Sequence, residues 1–211
     1  MTGSVTGESR GGSALCSLQF AASALVLLGF FGPWIAHQCA ALTVTGYQMS
    51  EFAKFFPQVL SGAVPLTRAY FITPLLSGVV SMGLVLRRSS LRPLVRVGGT
   101  ALAALLILAV LPPHHSILDP AYRPQLIMVG AGVLLTAGTV LTADLTERAH
   151  GVVSFLIALA GAVPALWQFV LFRPLIAQLY RAPVMPGWGL IVGLIGFTLL
   201  SVTGLRRVCT A

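Results

Sequence analysis

The chain has 211 residues, of which 56% are hydrophobic and 9% charged, with a mean hydropathy of +0.92. A water-soluble domain carries roughly 25% charged residues, so composition excludes a soluble globular protein and leaves no segment for a separate soluble domain. The formal net charge of +8 comes from 13 basic residues confined to short connections between apolar runs. That distribution fits membrane topology and anionic headgroups rather than a nucleic-acid surface, so the lipid bilayer is an expected partner and nucleic acid is not.

Residues 1–12 are expected as a cytoplasmic N-terminal tail. The first apolar run, 13–36, has no charged residue and exceeds the roughly 7–15 apolar residues of a secretory signal core, so it is expected as a retained helix. A helix rises about 1.5 Å per residue and needs about 20 apolar residues to cross the hydrocarbon. Five further runs approach that length, at 69–86, 97–111, 124–143, 152–172 and 188–205. The expected fold is therefore all-α: a polytopic integral membrane protein with six transmembrane helices arranged as three helical hairpins in one membrane domain, 13–205. Residues 206–211 are expected as a cytoplasmic tail.

Between the first two runs lies the only long connection, 37–68, expected on the outer side. Thr43–Tyr47 reads there as an extended piece ending in a turn. Phe52, Phe55, Phe56, Val59 and Leu60 follow at the spacing of one helical face, with Ser50 placed to cap the helix and Pro57 to interrupt it. The expected result is an interfacial helix with its phenylalanines in the acyl boundary. After the fourth run, Asp144 and Glu147 have the spacing of a capping box, and Asp144 is one turn from Arg148.

Orientation follows from the basic residues. With the N-terminus inside, Arg10, Arg87, Arg88, Arg92, Arg96, Arg148, Arg206 and Arg207 lie inside, eight in all. Lys54, Arg68, Arg123, Arg173 and Arg181 lie outside, five in all. Both termini are thus expected in the cytoplasm, with Arg87, Arg88, Arg92, Arg96, Arg206 and Arg207 serving topology and headgroup contact. Twelve arginines against one lysine fit a GC-rich bacterial genome and hence a bacterial plasma (inner) membrane. Trp34, Tyr70, Tyr122, Trp167, Tyr180 and Trp188 fall beside the outer connections and are expected as interfacial anchors.

Chemistry-bearing residues are few. His37, Cys39, His114 and His115 map to outer helix ends, and imidazole with thiolate is the donor set of a zinc, copper or haem-iron site. Adjacent histidines diverge on most backbones, however, and His37-x-Cys39 is too short to be diagnostic, so no metal or haem cofactor is predicted. Cys16, Cys39 and Cys209 lack C-x-x-C spacing, and only Cys39 is expected outside, so no intrachain disulfide follows. Thr73, Ser77 and Ser81 lie one turn apart, and Gly189-x-x-x-Gly193 is a small-residue pair, both patterns of helix packing. Pro33, Pro74 and Pro164 are candidate kinks. No span carries an acid, lysine or arginine near its middle, where ion-coupled carriers keep such groups. The expected role is a non-enzymatic accessory, assembly or scaffold component packing against another membrane protein or itself. The alternatives are a facilitator for a small neutral or apolar solute, and a haem- or quinone-associated redox subunit.

Overall fold

The computed structural model describes residues 5–37, 42–88, 93–112, 114, 117, 119–141 and 145–210. In chain order the elements are α1 (Val5–Phe31), β1 (Pro33–His37), β2 (Leu42–Thr45), α2 (Gly46–Phe52), α3 (Pro57–Leu60), α4 (Thr73–Arg88), α5 (Pro93–Leu108), α6 (Arg123–Leu141), α7 (Glu147–Tyr180), β3 (Met185–Pro186) and α8 (Trp188–Thr210). Short 3₁₀ turns occupy Ala53–Phe55, Arg68–Ile72 and Pro120–Tyr122.

Four described helices are long and apolar enough to cross a membrane: Ala14–Phe31, Arg68–Arg88, Glu147–Tyr180 and Trp188–Thr210. This is the build of an integral membrane protein. The apolar part of α5, Val97–Leu108, is shorter. α1 packs along α8 and α4, and α7 packs along α8 and α4, so these four helices form a closed group. α5 and α6 contact each other and lie against α4, which is the most buried of the long helices. The hairpin expectation omits the close pairing of α1 with α8, the first helix with the last.

That pairing has a direct cause in small residues. A Cβ on Gly29 would collide with the backbone nitrogen of Gly193 and stand 2.6 Å from its Cα. One on Gly189 would collide with the carbonyl carbon of Gly32 and stand 2.6 Å from its oxygen. The backbones approach this closely only because no side chain intervenes.

Helix boundaries depart from the sequence expectation where local chemistry ends or extends a helix. α1 begins at Val5, inside the expected tail, and stops at Phe31 because Gly32 and Pro33 break it. Pro33 starts β1, so it does not kink a helix. Pro74 occupies the first turn of α4, where its missing N–H leaves no carbonyl unpaired. α7 runs 34 residues, about 51 Å, without a break at Pro164 or Pro174, eight residues beyond the expected end at 172. α8 likewise continues to Thr210 through most of the expected C-terminal tail.

The molecule is all-helical as expected, apart from one small sheet that the sequence reading did not include. β1 is the central strand of a three-stranded antiparallel sheet in the order β2-β1-β3. Ile35 pairs with Val44 on one side and Pro186 on the other, and a bulge lies between Pro33 and Ile35. A strand of only two residues, Met185–Pro186, gives no periodic signal. The extended piece expected at 43–47 is β2, but Ser50 does not cap the helix that follows. Thr45 does: its Oγ1 accepts from Gln48 N at 3.3 Å, and Gln48 Oε1 accepts from Thr45 N at 3.1 Å. Ser50 is instead buried inside α2.

Beneath the sheet lies an aromatic core. Phe56 and Phe172 meet edge-on at 4.9 Å between centroids, and Trp34 sits edge-on to Phe71 and Phe169 at 6.4 and 6.2 Å. Phe56 is buried and Phe52 half-buried against Phe172, so neither is dipped into lipid as the helical spacing implied. Phe55 and Leu60 remain exposed. The extension of α7 beyond 172 provides the other wall of this core, through Leu175 and Ile176.

Candidate functional site

The two ends of the bundle carry different chemistry. At the end bearing the sheet, a cleft of about 530 Å³ opens between the 50–69 connection and the start of α6. Its polar lining includes Lys54, Arg68, Asp119, Tyr122 and Gln125, with Val59, Leu60 and Leu66 on the apolar side. Lys54 is ion-paired with Glu51 and donates to Tyr122 OH at 3.4 Å. The Arg68 guanidinium stacks on the Tyr122 ring at 5.3 Å and donates to Ala121 O at 3.2 Å. Asp119 caps the following 3₁₀ turn, its Oδ1 accepting from Ala121 N at 2.8 Å.

The Glu51 carboxylate holds the Lys54 ammonium above its usual range, against a smaller opposing effect of burial. A folded-state value raised above the unfolded one means this pair contributes at neutral pH, and its contribution is lost only as pH rises through that raised value. Both side chains are about one-third exposed, so Glu51→Gln is expected to cost under about 1 kcal/mol in urea or thermal unfolding, with the difference from wild type vanishing in strongly alkaline buffer.

The arginine-bearing end is built differently. Glu147, the first residue of α7, holds two arginines with one carboxylate: Oε1 accepts from Arg88 Nη1 at 2.6 Å and Oε2 from Arg207 Nη1 at 2.7 Å. Arg88 also donates to Leu145 O at 2.8 Å, while Arg87 donates to Thr139 O at 3.1 Å. The helix N-cap is Thr146, whose Oγ1 accepts from Ala149 N at 3.2 Å. Glu147 is therefore an ion-pair bridge joining the ends of α4, α7 and α8 rather than the distal half of a capping box. Asp144 lies outside the described residues.

One turn deeper is a sealed polar network. His150 Nε2 is 3.0 Å from Gln19 Oε1, and Gln19 Nε2 donates to Ser154 Oγ at 2.9 Å. The Ser23 hydroxyl lies 2.9 Å from both the Gln19 carbonyl and Ser81 Oγ, linking α1 to α4. Gln19, Ser23, Ser81, His150 and Ser154 are all buried. Since Gln19 Oε1 can only accept, His150 Nε2 carries the proton at this contact. Gln19→Leu would leave His150 and Ser154 without that partner and is expected to destabilise the fold by about 1–3 kcal/mol in reversible unfolding.

Several expected site residues take other roles. Trp34 is 4% exposed and donates its indole N–H to Gly29 O at 2.9 Å, and Tyr122 is 8% exposed under Arg68, so neither is presented to headgroups. Tyr70 and Tyr180 are half-buried, while Trp167 and Trp188 are exposed. Arg207 is 3% exposed, paired with Glu147 and accommodated by the absence of a Cβ on Gly151. Arg206 is exposed, Arg96 lies in α5, and Arg92 is outside the described residues.

The Thr73 hydroxyl lies 2.9 Å from both Tyr70 O and Gly161 O, alternative acceptors for its one proton, and Ser77 packs against Gly161. Gly189 meets the α1 backbone directly, whereas a Cβ on Gly193 would find Gly29 Cα only at 3.9 Å. The two glycines are thus unequal, which their spacing does not reveal. His37 ends β1 and His114 is exposed, while Cys39 and His115 lie outside the described residues. Among the described residues no group of three or more His, Cys, Asp or Glu side chains is placed to hold a metal.

Sequence reasoning missed Glu147, His150 and Gln19 as one assembly. The available signal was an uncommon one: a histidine and a glutamine near the arginine ends of two apolar runs. Compared with protein-family profiles, curated proteins and solved structures, the chain matches none.

Proposed function

We propose that this is a six-span membrane protein acting as a non-enzymatic accessory or assembly component, one that packs against another membrane protein or a second copy of itself. In this reading α1 and α4–α8 cross a bacterial inner membrane as three hairpins, with the arginine-bearing end and both termini in the cytoplasm. α5 and α6, 16 and 19 residues long, span about 24 and 28 Å, close to the roughly 30 Å of the hydrocarbon. Their exposed Leu102, Leu105, Ile127, Leu134 and Leu135 require lipid or protein to cover them.

The observation that carries the accessory role is where the polar groups inside the bundle go. Thr73, Ser23, Ser81, Gln19 and Ser154 bind backbone or one another between helices, an arrangement that holds helices together rather than lining a passage. Blue-native electrophoresis of the endogenous protein is expected to show it in an assembly larger than the monomer, and migration only as a lone monomer overturns the reading. Thiol labelling tests the topology: Cys209 is expected to react only after the membrane is permeabilised.

A facilitator of small apolar solutes is the second reading, favoured by one feature. A groove of about 190 Å³ between α4, α6 and α7 has Thr73 and Ser77 on its back wall, with Leu76, Val80, Met128 and Ile157 around them. Ser77→Leu would fill it. Unchanged solute uptake by that variant removes this alternative.

A further inference from the structure

Among the described residues, the buried side-chain nitrogen or oxygen atoms without a hydrogen-bond partner are Nε and Nη2 of Arg207. We propose that these atoms anchor a phosphate-binding site at the arginine-bearing end of the bundle, taking either the headgroup phosphate of an anionic lipid or free phosphate.

The geometry of the guanidinium supports this. Its Nη1 is engaged with Glu147. The N–H groups of Nε and Nη2 point from the same edge of the guanidinium, forming a two-pronged donor that matches two oxygens of one phosphate. With Arg207 only 3% exposed, two unmet N–H groups carry a desolvation penalty that an oxyanion would relieve. Glu147 cannot serve this edge, since one of its oxygens binds Arg88 and the other binds Nη1. Glu51 and Asp119 sit at the opposite end and have partners there.

Charge at this end favours an anion. Arg87, Arg88, Arg148, Arg206 and Arg207 gather at this end, where Arg88 and Arg207 share the Glu147 carboxylate and Glu8 lies further out along α1. Two of the five, Arg148 and Arg206, are exposed, so the field reaches the surface where phosphate is encountered. Glu147 is itself 54% exposed and Arg88 21% exposed at the side chain, so the bridge beside Arg207 is open to water. Thr146 and the first N–H groups of α7 lie on the same side, where a helix N-terminus adds partial positive charge.

The inference rests on the membrane reading of the bundle and not on the accessory role. A protein that runs alone on a native gel yet retains phosphate-bearing lipid would end that role and leave this site standing.

The test uses the full-length protein in mild detergent, with native mass spectrometry and thermal unfolding as readouts. Phosphatidylglycerol, phosphatidylcholine and inorganic phosphate are added separately. Wild type is expected to retain phosphatidylglycerol or phosphate, and to be stabilised by it, with phosphatidylcholine giving less of both. Retention of phosphatidylglycerol alone assigns the source as lipid, and a response to inorganic phosphate alone assigns the free ion. Arg207→Lys keeps the charge and removes the two-pronged edge, so about tenfold more ligand is expected to be needed. Exposed Arg206→Lys is expected to match wild type.

The proposal is overturned if neither phosphate source binds or stabilises wild type, or if phosphatidylcholine acts equally. It is also overturned if Arg207→Lys binds as tightly as wild type, which would make the effect diffuse charge, or if Arg206→Lys loses as much as Arg207→Lys, which would move the effect away from the buried edge. Asp144→Asn supplies a last check, because phosphate binding that appears or tightens only in that variant would assign the wild-type Arg207 edge to the chain's own acid. Should Arg207→Lys fail to fold, the wild-type arms and the Arg206→Lys and Asp144→Asn controls decide the matter without it.

Discussion

Glu147→Gln is expected to destabilise the protein by about 3 kcal/mol, the low end of the roughly 3–5 kcal/mol seen when one partner of a buried ion pair is removed. The reason is asymmetric burial. Arg207 is 3% exposed and, among the described residues, Glu147 carries the charge it pairs with, whereas Arg88 is partly wet and keeps its bond to Leu145 O. A neutral amide has one acceptor oxygen, so it can serve one arginine and presents an N–H₂ group to the other. The half-exposed position of Glu147 admits water and keeps the cost from the top of the range. Reversible unfolding in micelles measures the difference, and a loss below about 0.5 kcal/mol would mean the bridge is a surface pair in energetic terms. Adding Arg207→Met to Glu147→Gln removes the stranded charge and is expected to recover part of the loss, because an apolar side chain of similar length is tolerated where an unpaired cation is not.

The second large effect is expected at the crossing of α1 and α8. Gly29→Ala and Gly189→Ala should each cost about 3 kcal/mol, the upper part of the overpacking range, while Gly193→Ala should cost under about 1 kcal/mol. The first two place a methyl against backbone atoms of the facing helix, which cannot rotate away as a side-chain tip can. At Gly193 the same methyl meets its nearest atom at 3.9 Å, ordinary contact. Thermal unfolding of the three variants tests the ranking. Equal losses at Gly189 and Gly193 would mean that the small-residue spacing, and not the direction of each Cβ, governs this interface. The contrast with Glu51→Gln is instructive, since a pair of the same chemistry with one-third exposure carries little energy.

Much of the architecture was legible in the residues because helix-length apolar runs report burial in lipid without any need of tertiary information. The four long helices, the arginines gathered at helix ends and the extended piece before Gly46 all follow from local pattern. Boundaries were less legible. α7 runs on through Arg173 and Pro174 because Leu175 and Ile176 have an aromatic core to pack against, and nothing near them in sequence announces that core. Ser50 looked like a cap because it precedes Glu51 and the phenylalanines, but Thr45 and Gln48 reach each other's backbone first. The arginine end was half-legible: the cluster was evident, yet its members were assigned alike to headgroups, although Arg206 faces outward and Arg207 inward on adjacent positions of one helix.

The sequence by itself determined that this chain belongs in a membrane, because too little charge is present to cover a soluble surface and the apolar runs have helical length. Tertiary structure decided which polar residues matter. Gln19 and His150 are 131 positions apart and Glu147 and Arg207 are 60 apart, so their pairing depends on α1, α7 and α8 meeting at one end. Backbone approach at Gly29 and Gly189 permits that meeting, and close approach is a property of two surfaces together, which no single run of residues encodes.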